Sequence, residues 1–173
     1  NASSCCNCHY CSYIVHAAVT GRRPVGQELL NRGSESVVRN GQALLGASEN
    51  CDLSVGPELL NRRYNPNVHN GLALISASEN GHLPVVQELL NYGANLPLQD
   101  GEALIEASEN GDLEIVQELL NRGADPNVQN GQALVRASWY GHLPVVQELL
   151  NRGVDAHVRN GQALFDASER GVR

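Results

Sequence analysis

The sequence predicts an all-α solenoid of stacked helix-turn-helix units, because two strings recur along it with one fixed spacing. The first string opens with Asn-Gly or Asp-Gly, ends with Ala-Leu, and returns every 30 residues, at Asn40, Asn70, Asp100, Asn130 and Asn160. A mostly apolar string keeps the same spacing and reads NGHLPVVQELLN, NGDLEIVQELLN and YGHLPVVQELLN. A period of this length is typical of arrays in which each unit buries its apolar face only against its neighbours. Such an array has a long open surface that suits binding of another macromolecule.

The period also sets the expected domain organisation. Residues 1–9 form an atypical N-terminal segment, and residues 10–173 form one array. The full units are 10–39, 40–69, 70–99, 100–129 and 130–159, and residues 160–173 make half of a sixth unit. The sequence starts at Asn1 and contains no Met, so we expect a fragment or a processed form.

Composition excludes several classes of protein. The net charge of −7, with a pI near 5.3, argues against a nucleic-acid-binding protein, which needs a clustered basic face. No apolar run approaches the roughly 20 residues that span a bilayer. Five cysteines are most simply explained as reduced thiols in the cytoplasm. We recognise no phosphate-binding Gly-rich loop, nucleophile elbow or catalytic carboxylate pair, so we expect no enzymatic activity and no cofactor.

The first helix of a unit is best explained on the unit that starts at Asn130. An Asn or Asp at this position predicts an N-cap, because its side-chain oxygen can accept a hydrogen bond from the first turn. The helix should run over residues 132–139, with Ala133 and Ala137 on a face that lets another helix pack closely. Gly141 should end it in a left-handed conformation.

The second helix should run over residues 144–151 and begin near Pro144, since proline suits a first helical turn. Glu148 and Arg152 are four residues apart and predict an ion pair on the outer face, worth roughly 0.2–0.5 kcal/mol. Gly153 should end this helix. The short link that follows leaves little room for a β-hairpin, so we expect no substantial sheet. The buried stripe should comprise Leu143, Val145, Val146, Leu149 and Leu150.

Two segments of the array share a detailed pattern with a known repeat family. Residues 77–95 read ASENGHLPVVQELLNYGAN, and residues 107–127 read ASENGDLEIVQELLNRGADPN. The small-residue first helix, the Gly-His-Leu or Gly-Asp-Leu turn, the Val-rich second helix and the Gly-Ala ending resemble the ankyrin repeat. The resemblance covers about residues 10–173. It implies an ankyrin-type solenoid and a non-catalytic scaffold that binds a protein partner through loop tips and the exposed side of the first helices.

The chain departs from the usual ankyrin pattern in two ways. The common Thr-Pro-Leu-His opening is replaced by Gln132-Ala133-Leu134-Val135 and its equivalents. The unit is also three residues shorter than the usual 33, which predicts shortened loops between units. This 30-residue form is similar to arrays encoded by giant DNA viruses of protists, which would place the protein in the host cytoplasm or the virion.

The predicted partner site lies where the fifth unit differs from its neighbours. Three other units carry Glu-Asn at the exposed end of the first helix, whereas the fifth carries Trp139-Tyr140. Trp, Tyr and Arg are enriched at binding hot spots, and Arg136 is one turn away. The alternative is that Trp139 packs over Tyr140 or a neighbouring unit as ordinary surface. We predict a site centred on Arg136, Trp139 and Tyr140, flanked by Glu106, Glu109 and Asn110 of the fourth unit.

The second unit breaks several rules of helix formation. Cys51 and Arg63 replace the two helix-ending glycines, and Gly56-Pro57 interrupts the second helix. Either this unit is a hinge adapted to a partner or it is a redundant repeat that has decayed. In both cases we expect it to be the least stable of the full internal units.

Two further groups of residues have alternative interpretations. Cys5, Cys8 and His9 fit the haem-attachment pattern C-x-x-C-H, and together with Cys11 they could supply four zinc ligands, although free thiols are the simpler explanation. His82 and His142 should cap or brace the second helices of their units. A structural role by end-to-end stacking is the main alternative function, since Leu164 and Phe165 could present an uncapped apolar edge.

Overall fold

The computed structural model describes residues 40–50, 65–96, 101–158 and 161, and within these ranges it contains α-helices and no strand. One short 3-10 helix spans Val68–Gly71. The α-helices are α1 (Asn40–Glu49), α2 (Leu72–Glu79), α3 (Leu83–Asn91), α4 (Glu102–Asn110), α5 (Leu113–Asn121), α6 (Val128–Tyr140) and α7 (Leu143–Asn151). The predicted all-α solenoid is therefore confirmed. Cys51, Gly56-Pro57 and Arg63 lie outside the described residues.

The helices form two stacked layers. The first helices α1, α2, α4 and α6 pack against one another in chain order, and the second helices α3, α5 and α7 form the other layer. Each of α2, α4 and α6 also packs against the second helix of its own unit. The core lies between the layers and passes without interruption from one unit to the next.

In the described ranges, the core is built from residues that occupy the same position in successive units. The leucine of the Ala-Leu string is almost completely buried in four units, as Leu44, Leu74, Leu104 and Leu134. Truncation of such a leucine to alanine typically costs about 2–5 kcal/mol. In three of these units the serine four residues later is also buried and its hydroxyl donates to that leucine's carbonyl, as Ser48, Ser78 and Ser108 show; for Ser108 and Leu104 the distance is 2.7 Å. The serine is therefore compatible with the core, because its polar group is satisfied by the helix backbone.

The prediction that Asn70 and Asn130 are N-caps is wrong. Both have left-handed backbones, with φ values of 62° and 57°, and the residues before them, His69 and Gln129, are left-handed as well. No side-chain capping hydrogen bond forms at the start of α2 or α6. In these described links the chain reverses through consecutive left-handed residues and not through a hairpin of strands. Asparagine tolerates this conformation better than most residues do.

The glycine of the Asn-Gly pair is required for two reasons at Gly131. Its φ is 70°, in the left-handed region. A Cβ added there would also lie 2.8 Å from a methyl carbon of Val158 in the next link. The amide of Gly131 donates to the carbonyl of Asn127 at 3.1 Å, so the tight link pairs its own backbone and needs no side-chain cap.

The links are further fixed by short polar side chains. Asp125 accepts a hydrogen bond from the amide of Asn127 at 2.9 Å, which is an Asx turn. Asn67 joins two successive links through its side chain. Its Nδ2 atom donates to the carbonyl of Gly93, and its Oδ1 atom accepts from the backbone amide of Asn95. These bonds explain how a link without strands keeps neighbouring units in register.

The ends of the first and second helices follow most of the sequence prediction. Gly111 and Gly141 are left-handed and end α4 and α6, and Pro84 and Pro144 lie in the first turns of α3 and α7. The glycines after the second helices, namely Gly93, Gly123 and Gly153, are also left-handed.

The predicted buried stripe is incorrect for two leucines of the fifth unit. Leu143 and Leu150 are 42% and 39% exposed, whereas Leu90 and Leu120, the equivalents of Leu150, are 8% and 7% exposed. Val145 and Leu149 are fully buried as expected. Helices α3 and α5 each pack against the next second helix along the chain.

None of the described helices combines the length and apolar character that a membrane span requires.

Candidate functional site

The exposed side of the first helices holds most of the predicted site residues. On α4, Glu102, Glu106 and Glu109 are spaced four and three residues apart, which places them on one face of the helix. Helix α4 packs between α2 and α6, so this face is central in the described array. We call the surface the acidic-aromatic patch and define it by Glu102, Glu106, Glu109, Arg136, Trp139 and Tyr140.

An ion pair joins the two helices of the patch. The Nη1 atom of Arg136 lies 2.9 Å from the Oε2 atom of Glu109, and their side chains are 41% and 24% exposed. Ion pairs at such exposure contribute about 0–1 kcal/mol, so this one orients the side chains more than it stabilises the fold. The Nε atom of Arg136 is buried and makes no hydrogen bond with the described part of the chain.

Negative charge is concentrated around Glu106. Burial raises the pKa of its carboxyl above the ordinary value, and the charges of Glu109, Glu79 and Glu102 raise it further. The guanidinium of Arg136 acts in the opposite direction. The patch therefore holds more carboxylates than its one arginine neutralises.

The aromatic residues project at the edge of this charged face. Trp139 is 38% exposed and Tyr140 is 47% exposed. The ring of Tyr140 stacks against the ring of His142, with 6.4 Å between centroids and an angle of 14°. Both aromatics thus keep substantial surface open to solvent while Tyr140 is oriented by a neighbour.

The predicted role of the histidines requires correction. Neither His82 nor His142 makes a side-chain capping bond to its own second helix. Instead, the Nε2 atom of His142 lies 2.8 Å from the carbonyl oxygen of Glu109, and that of His82 lies 3.0 Å from the carbonyl oxygen of Glu49. A carbonyl only accepts, so Nε2 carries the proton and donates it. Each histidine therefore ties its unit to the end of the preceding unit's first helix.

The fourth unit is also tied to the first helix of the preceding unit, but through an asparagine instead of a histidine. Asp112 occupies the histidine position, and the side-chain amide of Asn110 donates to the carbonyl of Glu79 at 2.7 Å. In the third unit, where His82 is present, Asn80 bonds instead to the carbonyl of Ser76 in its own helix. Asn110, a predicted partner residue, is thus engaged in joining units.

The structure adds one residue that the sequence prediction omitted. Glu102 lies one turn before Glu106 on α4 and accepts a weak hydrogen bond from Gln129 at 3.3 Å. The sequence does give a signal for Glu102, because it occupies a position that varies between units. The signal is weaker than that of Trp139-Tyr140, which replaces a Glu-Asn pair shared by three other units. Helix packing now groups Glu102 with Glu106 and Glu109.

The predicted ion pairs of the second helices are confirmed where they are described, and they do more than was expected. Arg122 and Arg152 lie 3.0 and 2.8 Å from Glu118 and Glu148. Each guanidinium also donates to an asparagine of the preceding unit, as Arg152 does to Asn121 at 2.7 Å. These ion pairs and hydrogen bonds are structural, since they link the second helices of successive units. The equivalent pairs Glu28/Arg32 and Glu58/Arg62 lie outside the described residues.

Metal binding finds no support in the described ranges, where no three His, Cys, Asp or Glu side chains are grouped to hold an ion. Cys5, Cys8, His9 and Cys11 lie outside those ranges, as do Leu164 and Phe165.

Comparison with known families agrees with the helix arrangement. The family described as "Ankyrin repeats (3 copies)" matches residues 42–130 and 74–160. The first match alone covers more than half of the 173-residue chain. No curated protein matches this sequence. With paired helices stacked in two layers, left-handed glycines at the helix ends and this match, the chain belongs to the ankyrin repeat family.

Proposed function

We propose that this protein is a non-catalytic scaffold that binds a protein partner through the acidic-aromatic patch. Ankyrin repeats are generally protein-protein interaction modules and are typically not catalytic. The observation that carries the proposal is the exposure of Trp139 and Tyr140 at positions where other units have Glu and Asn. Exposed Trp and Tyr beside an Arg have the composition of a binding hot spot.

Packing does not require the aromatic pair. Ala133 and Ala137 of α6 are completely buried, as Ala73 and Ala77 of α2 almost are, although α2 ends in Glu-Asn. The buried alanines of α2 and α6 are therefore packed alike, whether the helix ends in Glu-Asn or in Trp-Tyr. A selective reason outside the fold, namely contact with a partner, accounts for the substitution.

The test compares two aromatic truncations. Trp139→Ala removes the proposed anchor, and Tyr92→Ala removes an aromatic of equal exposure, 38%, at the end of α3. Partners captured from a lysate by the wild-type protein would be identified, and their affinities measured for both variants. Trp139→Ala should weaken binding by about 2 kcal/mol or more, roughly thirtyfold, while Tyr92→Ala should not.

Stability measurements complete this test. Surface substitutions usually change stability by no more than about 0.5 kcal/mol, so both variants should unfold close to the wild type. A Trp139→Ala variant that unfolds easily but keeps its affinity would show that Trp139 is structural and that the partner site lies elsewhere.

A second function, self-association, is favoured by the apolar face of α7. Leu143 and Leu150 are exposed and Val146 is half-buried, whereas Val116 in the equivalent place on α5 is fully buried by the next unit. A second copy of the chain could supply a similar cover by end-to-end stacking. Light scattering over a range of concentrations would detect it, and Leu150→Ser should reduce it. A constant monomer mass would exclude this alternative.

The cellular location and the source of the protein are also part of this proposal. We infer a cytoplasmic location, since an ankyrin array with five cysteines suits a reducing compartment. A viral source, and with it a host-cytoplasm or virion location, is proposed from the 30-residue form of the unit. Metal or haem binding by Cys5, Cys8, His9 and Cys11 is a weaker alternative that an absorption spectrum with metal analysis would decide.

A further inference from the structure

We propose that the acidic-aromatic patch binds a basic peptide segment, whose Arg or Lys side chains contact the α4 carboxylates and the rings of Trp139 and Tyr140. This inference rests on the proposed function, because it assigns a chemical class to the partner of the same surface.

The charge of the patch favours a cationic partner. Three carboxylates project from α4, and the one arginine of the patch is already paired with Glu109 at 2.9 Å. Glu106 forms no ion pair or hydrogen bond with any described residue, and Glu102 has only the amide of Gln129 at 3.3 Å. Among the described residues, the patch therefore keeps a net negative charge after its ion pair is taken into account.

The negative charge of the patch affects the ionisation of Glu106. Its pKa is raised by partial burial and by three neighbouring carboxylates, so the ionised form is disfavoured in the array as it stands. A cation placed beside Glu106 would offset both effects, whereas a second anion would add to the repulsion. The patch is thus electrostatically complementary to a basic segment before any partner arrives.

An uncharged apolar partner fits this surface less well. Covering Glu102 and Glu106 with apolar atoms would remove their carboxylates from water without replacing the lost hydrogen bonds, which is costly. A guanidinium or ammonium group supplies those bonds and can also lie over an aromatic face. Trp139 and Tyr140 are both substantially exposed and lie on α6, which packs beside α4.

The molecule already contains one example of this recognition. Arg136 reaches across from α6 to Glu109 on α4, and it lies one helical turn before Trp139. A partner arginine would repeat this contact one to two turns earlier on α4, at Glu106 and Glu102. The segment would then need at least two basic residues to contact the carboxylates and the aromatics together.

The experiment measures binding of labelled peptides by fluorescence anisotropy. The probes are three fluorescein-labelled peptides of equal length that alternate Gly with Arg, with Glu or with Gln. We expect saturable binding of the Arg peptide, with an affinity that falls as salt is raised from about 0.05 M to about 0.3 M. Because Trp139 is the one tryptophan of the chain, its emission should change over the same titration.

Two variants of equal charge separate a local site from general attraction. Glu106→Gln should weaken binding of the Arg peptide by about fivefold, the upper range for a partly exposed ion pair. Glu114→Gln removes the same charge from an exposed position on α5, outside the patch, and should change the affinity by less than about twofold.

The outcomes distinguish this inference from the proposed function. Equal effects of the two variants, equal affinity for the Gln or Glu peptide, or no binding of the Arg peptide would each overturn the basic-segment inference. None of these results touches the proposed function, which fails separately if Trp139→Ala and Tyr92→Ala capture partners with the same affinity.

Discussion

Replacing His142 with aspartate tests how neighbouring units are joined. The imidazole of His142 donates from Nε2 to the carbonyl of Glu109 at 2.8 Å and is half-buried. His142→Asp removes this donor and leaves the carbonyl without its partner. A net protein hydrogen bond contributes about 0.5–1.5 kcal/mol, and the site is only partly buried, so we expect a loss of about 1 kcal/mol.

The fourth unit indicates how the loss can be reversed. There, Asp112 occupies the histidine position and Asn110 donates to the carbonyl of Glu79 at 2.7 Å. Tyr140→Asn combined with His142→Asp reproduces that pair of residues in the fifth unit. The double variant should therefore recover most of the stability that His142→Asp loses.

Urea unfolding followed by circular dichroism at the helix band would measure the free energies. A control is needed because Tyr140 stacks on His142, so either single change also removes that contact. Tyr140→Ala with His142→Asp loses the stacking but supplies no amide. If this control is as stable as the Tyr140→Asn double variant, the recovery does not come from an amide-carbonyl bond, and Asn110 does not replace His142 in the way proposed.

Three further predictions follow from the same structure. Because the pKa of Glu106 is raised in the fold, its protonated form favours folding, and this contribution is lost as pH rises through the raised pKa. Glu106→Gln should therefore be more stable than the wild type near pH 7, with a difference that vanishes near pH 4; a constant difference in urea midpoint would contradict this. Gly111→Ala should destabilise more than Gly123→Ala, because both glycines have positive φ but only a Cβ at Gly111 meets the ring of His142; equal melting temperatures would show that the ring moves aside at no cost. Hydrogen exchange should be faster in residues 40–69 than in the other full internal units, and uniform protection over 40–159 would show that packing overrides the defects in the second unit.

The sequence predicted the helices well because their signals are local and repeated. Apolar spacing, Pro144 and Gly141 indicate where the helices of the fifth unit begin and end. The predicted ranges 132–139 and 144–151 agree with α6 and α7 to within about one residue, if the left-handed residues at the start of α6 are left out. The same patterns recur in the third and fourth units, so chance is a poor explanation for them.

The link between units could not be predicted from the same signals. Asn-Gly is compatible both with an N-cap and with left-handed backbone, and nothing local to Asn130 decides between them. The choice depends on how far apart two units stack, which a single repeat does not contain. One such contact between units is visible beside Asn130, because a Cβ at Gly131 would meet the side chain of Val158 in the next link.

The candidate site was predicted in part, for a related reason. Trp139 and Tyr140 stood out because they break the repeat, whereas Glu102 does not differ enough from its neighbours to be noticed. The bonds of His142 and Asn110 join residues more than 30 positions apart in the sequence; His142 and Glu109 are separated by 33 positions. Such contacts become visible only when the units are stacked.

A footprint of the bound partner would show whether the acidic-aromatic patch is the binding surface. Hydrogen-deuterium exchange of the array would be compared with and without a partner captured as described for Trp139→Ala. We expect added protection at residues 102–110 and 132–140, in the first helices α4 and α6, and little change in α5 and α7. Protection confined to the second helices, or to the face of α7 that exposes Leu143 and Leu150, would contradict a partner site on the acidic-aromatic patch.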